Sequence, residues 1–299
     1  MTAEARNPAD EGRNALADVE PQPGIAKPDP VMIVDGLQRS FGGLHAVDVD
    51  HLEVQRGSIT SLIGPNGAGK TTLFNLLTGF DQPDVGDWRL DGSALIGIPA
   101  YRIARRGVVR TFQLTKSLAR LTVLENAMLA ATGNRGESFW GALVGGWSKQ
   151  EAQIRARALE LLNRFGLDHM IDEYAGSLSG GQRKLLEMAR ALMMDPEVVM
   201  LDEPMAGVNP ALTQSLLTHI KSLRDDDGRT VIFIEHDMAV VQEISDWIAV
   251  LGEGRLIAEG RPADIASNPD VIEAYLGSHD VHLQPSDEHT DTDEGMGDR

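Results

Sequence analysis

The sequence predicts an α/β fold: a parallel sheet flanked by helices, with an antiparallel β subdomain ahead of it and an inserted α-helical subdomain. Three observations carry this. Short apolar, β-branched runs at 57–63, 197–201, 231–234 and 247–251 read as buried parallel strands with helical stretches between them. The glycine-rich stretch Gly64-Pro65-Asn66-Gly67-Ala68-Gly69-Lys70-Thr71-Thr72 stands between the first of these strands and a helix. From about Leu121 to Gly176 the character changes, with Ala, Leu, Glu and Arg dominant and the β-branched runs gone.

Taken in order, folding is expected to begin near Val31. Val31-Met32-Ile33-Val34 reads as a strand. Residues 46–54, with Val47, Val49, Leu52 and Val54 in partial alternation, read as a second. These form an antiparallel-looking edge ahead of the parallel core. Phe41 lies between them in a glycine-flanked loop, where an aromatic ring can stack on a base or simply pack. Arg56-Gly57 then turns the chain into the strand that ends at Ile63.

The stretch 64–72 matches G-x-x-x-x-G-K-[ST] at every fixed position, and Leu73-Phe74-Asn75-Leu76-Leu77 reads as the helix the motif requires after it. Glycines permit positive φ, so successive N–H groups can point inward as an anion nest at a helix N-terminus. Lys70 adds positive charge for the β- and γ-phosphates, and the Thr71 hydroxyl can ligate Mg²⁺. A glycine turn with a chance Lys-Thr is the bland alternative, and the flanking strand and helix argue against it. The stretch is expected to bind a nucleoside triphosphate.

Beyond this helix, residues 81–86 form a turn cluster and Trp88-Arg89-Leu90 a short strand. Residues 108–113 read as another strand, ending in the amide of Gln113. The helical subdomain spans about 114–177; within it, Ile154, Ala158, Leu161, Leu162 and Phe165 keep a helical period. The insert at 133–147, rich in glycine and tryptophan, reads as a partly ordered loop or hairpin; its tryptophans, if exposed, would face a membrane or partner. The α/β pattern returns at Leu178. Residues 252–260 read as a terminal hairpin and 264–276 as a closing helical segment, within a C-terminal segment of about 259–279.

Composition narrows the chemistry. The 299 residues allow one large domain or two small ones. There are no cysteines, which excludes disulfides, thiolate metal sites and cysteine nucleophiles. No stretch approaches the ~20 continuous apolar residues that span a bilayer, and no signal peptide is evident. A net charge of −18 argues against a partner bound by neutralising its phosphates, so no nucleic acid is expected. Residues 1–30 carry −3 of that charge and residues 280–299 carry −6. Both ends are polar and poor in large apolar side chains, so both are expected to be disordered acidic tails around a folded unit of 31–279.

Two further stretches bear on chemistry. Val198-Val199-Met200-Leu201-Asp202-Glu203 is an apolar strand ending in two acids, at the edge of a parallel sheet where ligands collect. Asp202 can hold Mg²⁺ through water, and Glu203 can act as general base toward a water. Alone such an ending is weak, because solvated end charges look the same; paired with the phosphate-binding loop it is strong. Leu178-Ser179-Gly180-Gly181-Gln182-Arg183-Lys184 opens a helix with free N–H groups and a hydroxyl, a second anion site or a plain helix cap.

This last heptad closely resembles the signature motif of the ATP-binding cassette (ABC) ATPases. The order of motifs matches as well: the loop at 64–72, Gln113, the signature at 178–184, Asp202-Glu203, and His236 after the strand 231–234. The resemblance covers roughly 31–279 and implies a P-loop NTPase (RecA-like) core that binds ATP and Mg²⁺ and hydrolyses ATP. It implies that Gln113 contacts Mg²⁺ and water, that His236 contacts the γ-phosphate, and that Phe41 stacks on adenine. It also implies a head-to-tail pair with a second ATPase subunit, the same chain or a homologue. There Ser179, Gly180, Gly181 and Gln182 of one subunit close over the nucleotide held by 64–72 of the other. The other implied partners are transmembrane permease subunits and, indirectly, a solute-binding protein, with the chain peripheral on the cytoplasmic face of the membrane.

Many ABC ATPases carry Asp after the acidic strand, whereas this chain reads Met205-Ala206-Gly207-Val208-Asn209-Pro210. The Asn resembles the branched-chain amino acid importer ATPases. So do Phe41-Gly42-Gly43-Leu44, Arg110-Thr111-Phe112-Gln113 and the ending Val271-Ile272-Glu273-Ala274-Tyr275-Leu276-Gly277. Urea-importer and lipopolysaccharide-export ATPases share several of these features, and the insert at 133–147 favours the amino-acid group. A soluble ABC protein acting on ribosomes or DNA would usually carry two cassettes or a long coiled coil. A small-molecule kinase would leave the signature heptad unexplained.

Overall fold

The computed structural model describes residues 8–111, 118–131 and 147–277. Residues 30–55 form a long antiparallel hairpin, β1 (Pro30–Phe41) and β2 (Leu44–Gln55), which β4 (Val85–Leu90) and the short β5 (Ser93–Ala94) extend to a four-stranded sheet. This is the antiparallel edge the alternation predicts.

The second sheet holds β3 (Ile59–Ile63), β6 (Val108–Arg110), β7 (Val198–Asp202), β8 (Thr230–Ile234), β9 (Trp247–Gly252) and β10 (Arg255–Gly260), in the order β10-β9-β3-β8-β7-β6. All pairs are parallel except the terminal β9–β10 hairpin. Its central strands are covered on both faces, which is why they read as continuous apolar runs rather than alternating ones. Ile63, Val199, Leu201, Val231 and Phe233 point into one core, and Leu62, Met200, Ile232 and Ile234 into the other.

The first core is closed by helices. These include α4 (Val123–Leu129), α5 (Trp147–Arg164), α6 (Gly180–Leu192), α7 (Pro210–Asp225) and α8 (Met238–Ile244). The second is closed by α2 (Lys70–Leu77), by α3 (Ala100–Arg105) through Ile103, and by the antiparallel sheet. The closing helical segment is split into α9 (Pro262–Ala266) and α10 (Pro269–Gly277), the break falling where Asn268 caps the second helix ahead of a proline. Of the insert at 133–147, only Trp147, which opens α5, is among the described residues; the acidic tail at 280–299 lies outside them.

One expectation is corrected. The N-terminal segment is not a disordered tail up to residue 30: α1 (Pro8–Ala15) packs against α7, and Gly24 and Lys27 bond to Glu259 on β10. Leu16 is buried, and Arg13 reaches Asp225 and Asp246 at 3.2 and 3.3 Å. Lys27 is buried against Glu259 at 3.2 Å and sits 4.7 Å from the centre of the Trp247 ring. Low apolar content misleads here because a few anchors, matched to acids more than 200 residues away, hold the segment down.

Candidate nucleotide site

Register places the chemistry. On adjacent strands, Leu62 lies level with Ile234, and Ile234 level with Asp202. The loops that leave β3, β8 and β7 therefore emerge side by side at the C-terminal edge of the sheet, carrying residues 64–72, His236 and Glu203 to one place.

The loop at 64–72 is tightly framed. Gly64 has φ +147°, and a Cβ there would fall 2.1 Å from the Leu251 carbonyl oxygen. Gly69 has φ +93° and would meet the Ala46 carbonyl oxygen at 2.1 Å. Neither position admits a side chain, so these glycines are dictated by backbone shape and by close approach. Gly69 caps α2 without a side-chain bond, leaving the first N–H groups of the helix open toward the loop. Lys70 donates to the carbonyl oxygens of Gly64 at 2.7 Å and Pro65 at 2.9 Å. Burial lowers its pKa, while the charges of Glu203 and Asp202 act to raise it.

Asn66 to Thr72 line a pocket of about 700 Å³ together with Gly43, Leu44, His45, Ala46, Glu203 and Glu253. Asn66 to Thr72 and Glu203 thus come together. Glu203 has φ +45°, a left-handed conformation unusual for a non-glycine residue, and its N–H donates to the Ile234 carbonyl. Asp202 is buried one residue earlier and accepts from Arg110 at 2.6 Å; Arg110 also donates to the Asn75 side chain at 2.6 Å. Arg110 therefore ties the acidic strand end to the helix that follows the phosphate-binding loop.

The remaining expected residues sit around this centre. Phe41 is half exposed at the tip of the β1–β2 hairpin, with the Arg39 guanidinium 4.6 Å from its ring centre. It does not line the pocket; its neighbours Gly43 to Ala46 do. His236 projects into solvent beside the buried Glu235. Ser179 caps α6, accepting from the Gln182 N–H at 3.3 Å while its own N–H donates to the Gln182 side chain at 2.9 Å. Ser179, Gly180, Gly181 and Gln182 are absent from the lining of the pocket formed by 66–72. Gln113 lies outside the described residues.

A family model described as ABC transporter matches residues 47–206, from within β2 to the loop after Glu203. The chain belongs to the ABC transporter family. A second model, described as branched-chain amino acid ATP-binding cassette transporter, matches residues 255–281. The cassette is 44% identical over 250 residues to the high-affinity branched-chain amino acid transport ATP-binding protein BraF of Pseudomonas aeruginosa, covering 83% of this chain and 98% of BraF. It is 45% identical, with the same coverage, to the corresponding protein LivG of Escherichia coli. Among solved structures it resembles the ADP conformation of an ATP-binding cassette of an ABC transporter, with a TM-score of 0.72 and 35% identity over 83% of this chain and 99% of that one. The expected P-loop NTPase core, with its antiparallel and helical additions, is the fold found.

Reading the sequence missed Arg110, Asn75 and Glu235 as parts of the site. Arg110 stands in a short polar ending to a strand, and Glu235 directly follows an apolar one. An acid or a cation at the mouth of a buried strand is the signal that could have marked them.

Proposed function

We propose that this cassette is the ATP-binding and ATP-hydrolysing subunit of an importer for branched-chain or other amino acids. It couples ATP-driven closure of a cassette dimer to transport through membrane permease subunits. The observation that carries the reading is the convergence of Lys70, Thr71 and Glu203 on one pocket, in a chain that shares most of its length with branched-chain amino acid transport ATP-binding proteins.

In this reading the N–H groups of 64–72 and the Lys70 ammonium bind the phosphates, and Glu203 takes a proton from the attacking water. His236 contacts the γ-phosphate, Phe41 stacks on adenine, and Gln113 completes the site. Thr71 and Gln113, with Asp202 through water, would hold Mg²⁺. Their donors are hard oxygens. That suits an ion that takes few protein ligands and keeps water and phosphate oxygens. When bound, Mg²⁺ supplies neutralisation of phosphate charge.

The signature residues 179–182 stand apart from the pocket of their own chain, which supports a head-to-tail dimer in which they serve the nucleotide of the other subunit, the same chain or a homologue. The transport ATP-binding proteins that the chain resembles support a peripheral subunit on the cytoplasmic face; among the described residues no helix is long and apolar enough to cross a membrane. A solute-binding protein would act indirectly, through the permease.

The test is a pull-down of tagged protein from a mild-detergent extract of its own cells. Recovery of a multi-span permease, with or without a second cassette, is expected. Recovery with ribosomes instead would sink the importer reading.

A further inference from the structure

The acid before His236 has no role in the reading above. Glu235 follows β8 and is 1% exposed, a position that penalises a carboxylate unless it is hydrogen-bonded. Two backbone donors from different loops hold it. The Met205 N–H donates to Oε1 at 2.9 Å, and the His236 N–H donates to Oε2 at 3.2 Å. The Nδ1 atom of His236 lies 3.6 Å from the same Oε2. One carboxylate thus bridges the loop after β7 to the loop after β8.

The loop after β7 in turn packs on the N-terminus of α6. The Lys184 ammonium donates to the Glu203 carbonyl at 3.4 Å. A Cβ on Gly180 would touch the Gly207 carbonyl oxygen at 3.8 Å, and a Cβ on Gly181 would overlap the Leu212 side chain at 1.7 Å. A continuous path of contacts therefore runs from His236 through Glu235 and residues 205–212 to the helix that carries Ser179.

We propose that Glu235 is a positioning residue that holds His236 and the 204–209 loop in one arrangement. It thereby links the nucleotide bound by residues 64–72 of a chain to the signature segment that the same chain presents to its partner. The proposal rests on the ATPase reading and extends it. Burial pushes the Glu235 carboxyl pKa up while the two N–H donors pull it down, so the same bonds that join the loops favour the charged form. A merely structural anchor would matter for folding alone.

The test compares the full chain with Glu235→Gln and Glu235→Ala. Glutamine keeps the length and one acceptor but turns a donor toward the other N–H, so one loop loses its bond. Measured are kcat, KM and the Hill coefficient for ATP, the Kd of a fluorescent ATP analogue, and the melting temperature. For Glu235→Gln, kcat should fall by about tenfold or more, because a displaced catalytic group is costly. KM and Kd should stay within about twofold, and the Hill coefficient should fall toward that of independent sites. Wild-type kcat in Glu235→Gln, or a loss explained wholly by an unfolded fraction, would overturn the proposal. Absence of ATP binding by the wild-type chain would overturn the ATPase reading itself, and the proposal with it.

Discussion

The Lys70 ammonium donates to the carbonyl oxygen of Gly64 at 2.7 Å, so the cation offered to phosphate also closes the loop that would cradle it. A phosphate must draw Lys70 off these carbonyls or share it with them. Lys70→Ala should therefore cost ATP affinity by about tenfold or more, as expected for a lost charged hydrogen bond, with little change in melting temperature. Titration with a fluorescent ATP analogue checks this, and unchanged affinity would count against the phosphate-loop assignment.

Glu203 lines the same pocket and owes its position to a backbone conformation that its bond to Ile234 helps to hold. Glutamine has the same shape but is no base. Glu203→Gln should bind ATP normally and hydrolyse it roughly 10²- to 10⁴-fold more slowly, accumulating a dimer with ATP on a sizing column. Wild-type turnover in this variant would remove Glu203 from the mechanism.

The parts of the site legible in the sequence were those whose signal is local. Loop glycines, a lysine and a threonine at fixed spacing report their own backbone. Buried parallel strands report themselves as unbroken apolar runs. What was not legible depends on partners brought together only by the fold. Arg110 and Asp202 are 92 positions apart, and Lys27 and Glu259 are 232 apart. Nothing near Lys27 distinguishes it from any solvated lysine. Glu235 carries no local mark of its burial, which cannot be read from an acid's position in the chain.

The N-terminal segment offers a stability test. The side chains of Lys27 and Glu259 are both essentially buried, and Glu259 also accepts from the Trp247 indole at 3.0 Å and from the Gly24 N–H at 2.8 Å. Burial lowers the Lys27 pKa and raises that of Glu259, so each charge depends on the other for compensation. Lys27→Met should cost about 3 kcal/mol by leaving a buried carboxylate without its counter-ion. Lys27→Met combined with Glu259→Gln should recover most of that loss. Urea unfolding of both variants decides it: equal stabilities for wild type and Lys27→Met would mean that the segment contributes nothing through this pair.

His219 predicts a pH dependence. It lies on α7 with its ring edge-on to Phe165, the centres 4.8 Å apart. Burial, reinforced by the charge of Arg164, lowers its pKa below the usual 6.5. A depressed folded-state value means that the unfolded chain takes up the proton first. The contribution to stability is therefore complete above the unfolded pKa and is lost as pH falls through the folded one. Between about pH 7.5 and about pH 5.5 the wild-type chain should lose urea resistance at this site, and His219→Leu, which keeps the apolar contact and cannot titrate, should lose less over the same interval. Parallel slopes of unfolding free energy against pH for the two proteins would show that His219 is as easily protonated folded as unfolded.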